Sequence, residues 1–265
     1  MADYIYIKTQ KKDHVFTLTL ARSEKRNAFT PTMVNEIHYA LAKANIDKEI
    51  WLVLINAEGP VFCSGMDLKV FQNPELDQKN PEIENLNISL NDAIGQLNKP
   101  SIAVVEGDVM AGGMLLTLNT TYVYAKPDVK FSLPEVKRGI FPFQVMGALL
   151  NFISIKKTLD LCITGKVLDS KEAIGFGLVS DVLAADFEFK KMNDEGLNTL
   201  ISVILSNSPS AIRAGMLTAK ELKQVYETEK NSYLLSQLEA LRSTKDAQEG
   251  AKAFFEKRAP SWTNE

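Results

Sequence analysis

Cysteine and histidine are the scarce residues of this chain. Its 265 residues hold two of each: Cys63 and Cys162, His14 and His38. Two thiols far apart in sequence match no metal-ligand spacing and cannot staple a small secreted domain. Both read as small buried hydrophobes in a reducing compartment. An excess of charge is also missing. Lys and Arg number 30 against 33 Asp and Glu, a net charge of −3. Such balance gives no global reason to expect nucleic acid or an anionic membrane as partner. No apolar run approaches the roughly 20 residues of a membrane-spanning helix. The N-terminal stretch lacks the basic start and apolar run of a signal peptide. Repeats and low-complexity tracts are absent. The expectation is a cytoplasmic protein without metal, membrane or nucleic-acid partner.

What is present is core. Hydrophobic residues make up 45% of the chain, enough for one large domain or two small ones. Val15 to Leu20 alternates and is rich in β-formers, so it reads as a strand. Thr30 or Thr32 is placed to cap a helix that carries Pro31 in its first turn and runs to about Ala44. Ile50 to Asn56 and Ser101 to Val105 are continuous apolar runs of the kind buried on both faces. Tyr122 to Ala125 and Val129 to Leu133 are short strand patterns. The segment from Glu58 to Asp67 reads as a loop, and the polar stretch Asn73 to Glu84 as a mobile surface loop. Ile88 to Leu97 has a helical pattern. Beyond Gly139 the pattern is mostly helical, with amphipathic helices over Ser208 to Glu229 and Leu234 to Lys257. Strands alternating with helices, then helices alone, predict an α/β core with a helical C-terminal region. The boundary is set at residues 1–200 and 201–265.

Two features carry chemistry. The first is a pair of junctions, Phe62-Cys63-Ser64-Gly65-Met66 and Ala111-Gly112-Gly113-Met114. Glycine lets the backbone turn sharply and bare its N–H groups at a helix start. Two such N–H groups, if they converge, stabilise a developing oxyanion; each junction alone is equally an ordinary turn. The second is Glu135 in Leu133-Pro134-Glu135, after a short strand. A carboxylate among apolar neighbours has a raised pKa and moves protons near neutral pH. The same glutamate also suits the first turn of a helix, where it meets the dipole.

Lys25-Arg26-Asn27-Ala28, FCSGMDLK at 62–69, VEGDVMAGG at 105–113, FSLPEVKRGIFP at 131–142, TGKVLDSKEAIGFGLVSDV at 164–182 and EGAKAFFEKRAP at 249–260 follow the crotonase order. By these motifs the chain resembles the crotonase, or enoyl-CoA hydratase/isomerase, superfamily over nearly its whole length. The resemblance implies a spiral of ββα turns with a C-terminal helical trimerisation region. It implies an acyl-CoA thioester as substrate, no separate cofactor, and a homotrimer or homohexamer. It places the thioester oxygen on the N–H groups of Met66 and Gly112 and makes Glu135 the acid–base catalyst. The CoA and acyl groups would meet Lys25, Arg26, Asn27, Ala28, Ser64, Gly65, Asp67, Leu68, Gly113, Leu115 and Phe143. Phe254 and Lys257 would reach the nucleotide of a neighbouring subunit, the ammonium pairing with phosphate.

The departures from the family pattern are as telling. The second glutamate of the family's hydratases falls on Leu115, which neither holds nor activates water. One carboxylate suffices to take a proton from one carbon and return it to another, so double-bond isomerisation leads. Hydration, or another crotonase reaction, would need a water held by backbone, Asp67 or Asp108. A third possibility is an acyl-CoA-binding protein without turnover. Phe141-Pro142-Phe143 replaces a glycine-rich turn and should crowd a water site. Ser64 stands where Ala is frequent, and Thr121 where many members carry Asp. His14 and His38 are read as surface groups and Lys69 as a surface or CoA-side cation, while Glu106 and Asp108 flank Gly107 near the second junction. Asp67 is expected to cap the helix it precedes.

Overall fold

The computed structural model describes residues 3–224, 232, 235, 236, 238–240 and 242–260. Ten strands and ten helices run through them in alternation. β1 (Ile7–Lys12), β2 (Val15–Leu20), β3 (Leu52–Ala57), β5 (Ser101–Val105), β7 (Tyr122–Ala125) and β10 (Asp181–Val182) form a six-stranded sheet in the order β1-β2-β3-β5-β7-β10. β4 (Val61–Cys63), β6 (Asp108–Met110), β8 (Lys130–Ser132) and β9 (Val167–Asp169) form a second sheet in that order. The chain therefore deals β3 to the large sheet and β4 to the small one, and repeats this with β5/β6 and β7/β8. Between deals lie α2 (Leu68–Gln72) with α3 (Leu90–Gly95), and α4 (Met114–Leu118). Each round is a ββα turn, and the rounds stack into a spiral whose neighbouring strands are parallel.

The apolar runs follow from this placement. Val53, Ile55, Ala103 and Val105 point into the main core with Phe62, Val109 and Phe131 of the small sheet. Their neighbours Leu52, Leu54, Ile102 and Val104 point the other way, onto Leu197 and Ile204 of α8 (Glu195–Ser206). A parallel strand covered on both faces has no polar side to show. The helix α1 (Pro31–Ile46) starts where its cap dictates: the Thr30 hydroxyl accepts from the Met33 N–H, with Pro31 at the first position.

Several sequence expectations need correction. The loop read over 58–67 contains β4, and the polar stretch 73–84 is pinned. Asp77 accepts from the Thr32 N–H and the Tyr6 hydroxyl, and Asn80 donates to buried Glu36. Glu36 also accepts from the N–H groups of Ile5 and Tyr6, at 2.6 and 2.8 Å. The helix expected over 234–257 is interrupted: Thr244 caps a separate α10 (Lys245–Glu256). The helix expected over 208–229 appears as α9 (Pro209–Gln224). Glu229 and Leu234 lie outside the described residues. The remaining helices are α5 (Phe143–Leu149), α6 (Ile155–Thr164) and α7 (Ser170–Gly175). No helix among the described residues is long and apolar enough to cross a membrane.

Candidate active site

Three neighbouring parallel strands, β4, β6 and β8, end on the same side of the small sheet. Each hands the chain to one segment of the site: Ser64–Asp67, Ala111–Gly113 and Leu133–Glu135. Register explains why these three meet. Cys63 pairs with Val109, and Met110 with Ser132.

The first two segments touch. Gly65 has φ +92°, and a Cβ built on it would lie 2.8 Å from the Ala111 Cβ and 3.3 Å from the Gly112 nitrogen. Glycine at 65 is therefore what allows the turns to close on each other. Met66 bridges to Phe29, using the N–H groups of Phe29 and Asp67. The N–H of Met66 lies between them and donates to nothing among the described residues, and neither does that of Gly112. Gly113 packs on the Cys63 carbonyl as α4 begins. Two unengaged amides at adjoining turns suit an oxygen that gains negative charge.

The third segment is a 3-10 turn, Pro134–Arg138, with Pro at its start and Gly139 at its end. Glu135 lies in its first turn. The carboxylate oxygen Oε2 is buried and has no hydrogen-bond partner. Burial pushes the Glu135 pKa up to about 7, against the opposing pull of its own backbone N–H and of Arg138. From α6 the buried Cys162 thiol stands within the field of Glu135; burial, then that carboxylate, holds its pKa near 12. Thr158, one turn earlier on α6, also carries a buried side-chain oxygen without a hydrogen-bond partner among the described residues. Leu115 is buried in the first turn of α4, on which α5 packs, and at the start of α5 the Phe141 and Phe143 rings tilt together 5.1 Å apart.

The competing carboxylates are occupied. Asp67 caps α2 through the N–H groups of Lys69 and Val70 and pairs with Arg22 at 2.8 Å. Burial alone would raise its pKa, but the Arg22 hydrogen bond and the amides outweigh it and hold the carboxyl below its ordinary value. Asp108 accepts from the Lys130 N–H, and Glu106 from that of Phe189. His14 stacks on Trp51, and His38 meets Gln96. Thr121 exchanges hydrogen bonds with Ser101 and ties β7 to β5.

Lys25 and Arg26 are exposed on the loop before α1, where the Arg26 carbonyl accepts from the Ser64 N–H. Asn27 is fully buried. Its side chain clamps the Glu58 and Val61 carbonyls and the Arg22 N–H, so it shapes the loop and does not reach outward. Ala28 gives its carbonyl to Arg22. Leu68 opens α2. Phe254 and Lys257 sit at the end of α10, which packs on the Pro134–Arg138 turn of its own chain. The Phe254 ring lies over Arg138, 4.4 Å from its guanidinium carbon. Lys257 is exposed, with φ +54°. A shallow hollow of about 580 Å³ at Asp194, Asn198 and Ser202 on α8 carries none of these groups.

Two arginines escaped the sequence reading. Arg138 stood in plain view, three residues beyond Glu135. Arg22 gave no signal, because its partners Asp67 and Tyr6 are remote in sequence. Replacing Arg22 by Met should lower stability by about 1–3 kcal/mol, since it removes the charged partner of a half-buried carboxylate. Denaturant titration reads this, and an unchanged midpoint would show that Asp67 finds other support.

A spiral of ββα turns, two free amides at adjoining glycine turns and a buried carboxylate at a third strand end define the crotonase superfamily. Within it, the chain belongs to the enoyl-CoA hydratase/isomerase family, whose profile matches residues 10–265. A probable enoyl-CoA hydratase, echA8, of Mycobacterium leprae is 30% identical, covering 93% of each chain. Enoyl-CoA hydratase domain-containing protein 3, mitochondrial, of Rattus norvegicus is 28% identical over 97% of this chain and 84% of its own. The crystal structure of carnitinyl-CoA hydratase from Mycobacterium avium superposes with a TM-score of 0.83 at 27% identity, over 98% of this chain and 99% of the other.

Proposed function

We propose that this protein moves the double bond of an enoyl-CoA by a proton shuttle through Glu135. The observation that carries the reading is one buried, unpartnered carboxylate oxygen, while Asp67, Asp108 and Glu106 each accept hydrogen bonds elsewhere. The thioester oxygen would accept from the N–H groups of Met66 and Gly112. Glu135 would take a proton from C2, leaving an enolate, and return it to C4. The double bond then moves from C3–C4 to C2–C3, and no water is consumed. The chemistry calls on no metal or redox cofactor. Leu115 stands where the family's hydratases place their other glutamate, and it offers only hydrocarbon. The exposed Lys25 and Arg26 offer cations to the CoA phosphates.

Hydration is the second reading, since the curated relatives above carry hydratase names. Incubating the protein with a 3-enoyl-CoA and its 2-enoyl isomer in deuterated water separates the readings by mass. Interconversion with deuterium but no added water supports isomerisation. A product heavier by one water assigns hydration. Tight binding with no exchange leaves a binding protein. Turnover should rise as pH passes about 7, because Glu135 must be ionised to accept a proton. We also propose a trimer or hexamer. Ile155, Ile163 and Val167 leave an apolar face exposed beside the edge strand β9, and light scattering measures the assembled mass.

A further inference from the structure

Arg138 has no part in the reaction as written, yet its surroundings are specific. A 3-10 turn has three residues per turn, so positions 135 and 138 fall on the same side. Their charges act on each other through space, without a hydrogen bond. From above, α10 holds Arg138 at both ends. Gly250 presses on the Arg138 carbonyl so closely that a Cβ would collide with it. Phe254, four residues on and so on the same helix face, covers the guanidinium. Arg26 repels Arg138 from the loop side. Cys162 faces Glu135 from α6 as a neutral thiol. On α10, Glu249 and Glu256 pair with Arg258.

We propose that Arg138 is a positioning residue for Glu135, and that Phe254 holds it in place, so that α10 governs the acid–base group of its own chain. The inference rests on the reading of Glu135 above. Burial favours the neutral acid, and a fixed cation on the same side restores part of the ionised form. A mobile or absent cation would leave the carboxyl protonated at neutral pH.

The test follows the carboxyl itself, by infrared difference titration of the intact protein against Glu135→Gln. In Arg138→Met the protonation midpoint should rise by about one pH unit or more. Arg138→Lys should stay near wild type. Phe254→Leu, at an exposed ring, should move the midpoint the same way by less, and it decides the matter should Arg138→Met not fold. An unmoved midpoint in Arg138→Met overturns the proposal. So does a rise in KM for the CoA ester with no change in midpoint, which would assign Arg138 to the substrate's phosphates. A shift in Arg138→Met but not in Phe254→Leu overturns the role of α10. The infrared signal does not depend on turnover. A wild-type protein that converts no enoyl ester but shows these shifts would sink the isomerase reading and leave the coupling standing.

Discussion

Glu135→Gln is expected to lose about 10²–10⁴ in turnover while still binding the CoA ester. Glutamine keeps the shape of the side chain and removes the proton-accepting oxygen. The same variant should be more stable than wild type at pH 8. The folded-state pKa lies near 7, above the ordinary 4.5. The folded protein therefore holds the proton more tightly, and stability falls as pH rises from about 4.5 to 7. Above that window wild type bears the whole cost of a buried charge, on the order of 3 kcal/mol. Glutamine bears none of it. The two melting temperatures should converge at pH 4 and separate at pH 8. Full activity in the variant would remove Glu135 from the mechanism, and parallel melting curves at all pH values would show that it is hydrated in solution.

Gly65→Ala should be nearly as damaging, by a different route. Its φ of +92° disfavours any side chain, and the new methyl meets Ala111. Backbone strain of this kind costs about 1–3 kcal/mol. The turns must also part, which separates the Met66 and Gly112 amides. Loss of one oxyanion donor typically lowers kcat by about 10²–10³, and a fall of that order is expected. Gly177→Ala is the control: it has φ +75° but nothing within 4 Å. It should cost stability and leave kcat alone. Equal loss of kcat in both variants would mean that strain, not the amide pair, is what matters.

The fold was legible wherever a single segment carried its own reason. β2 and β7 lie where alternation and β-branching put them, and α1 begins at Thr30 because Thr-Pro is a cap and a first turn. The three-residue strands β4 and β6 were missed. They are too short to show a period, and only pairing with their neighbours in the small sheet makes them strands. The stretch 73–84 looked mobile because it is polar, but Asp77 and Asn80 are tied down by Tyr6, Thr32 and Glu36. Those partners are distant in sequence, so no local pattern announces them. Of the site, the glycine turns and Glu135 could be read as separate possibilities. That they share one end of the small sheet depends on strand register. The break at Ser243–Thr244 does carry a signal, a Thr before a helical run, but a longer amphipathic pattern runs across it.

The packing of α10 on the Glu135 turn has a consequence for the order of synthesis. α10 is the last of the described elements to leave the ribosome, and both sheets precede it. A nascent chain can therefore complete its core while the turn bearing Glu135 is still uncovered. In that interval no Phe254 ring lies over Arg138, and the cation on the Glu135 turn is not yet held in place. A chain that stops between α9 and α10 would lack the ring that holds Arg138, and its Glu135 should keep a proton to higher pH than in the full chain.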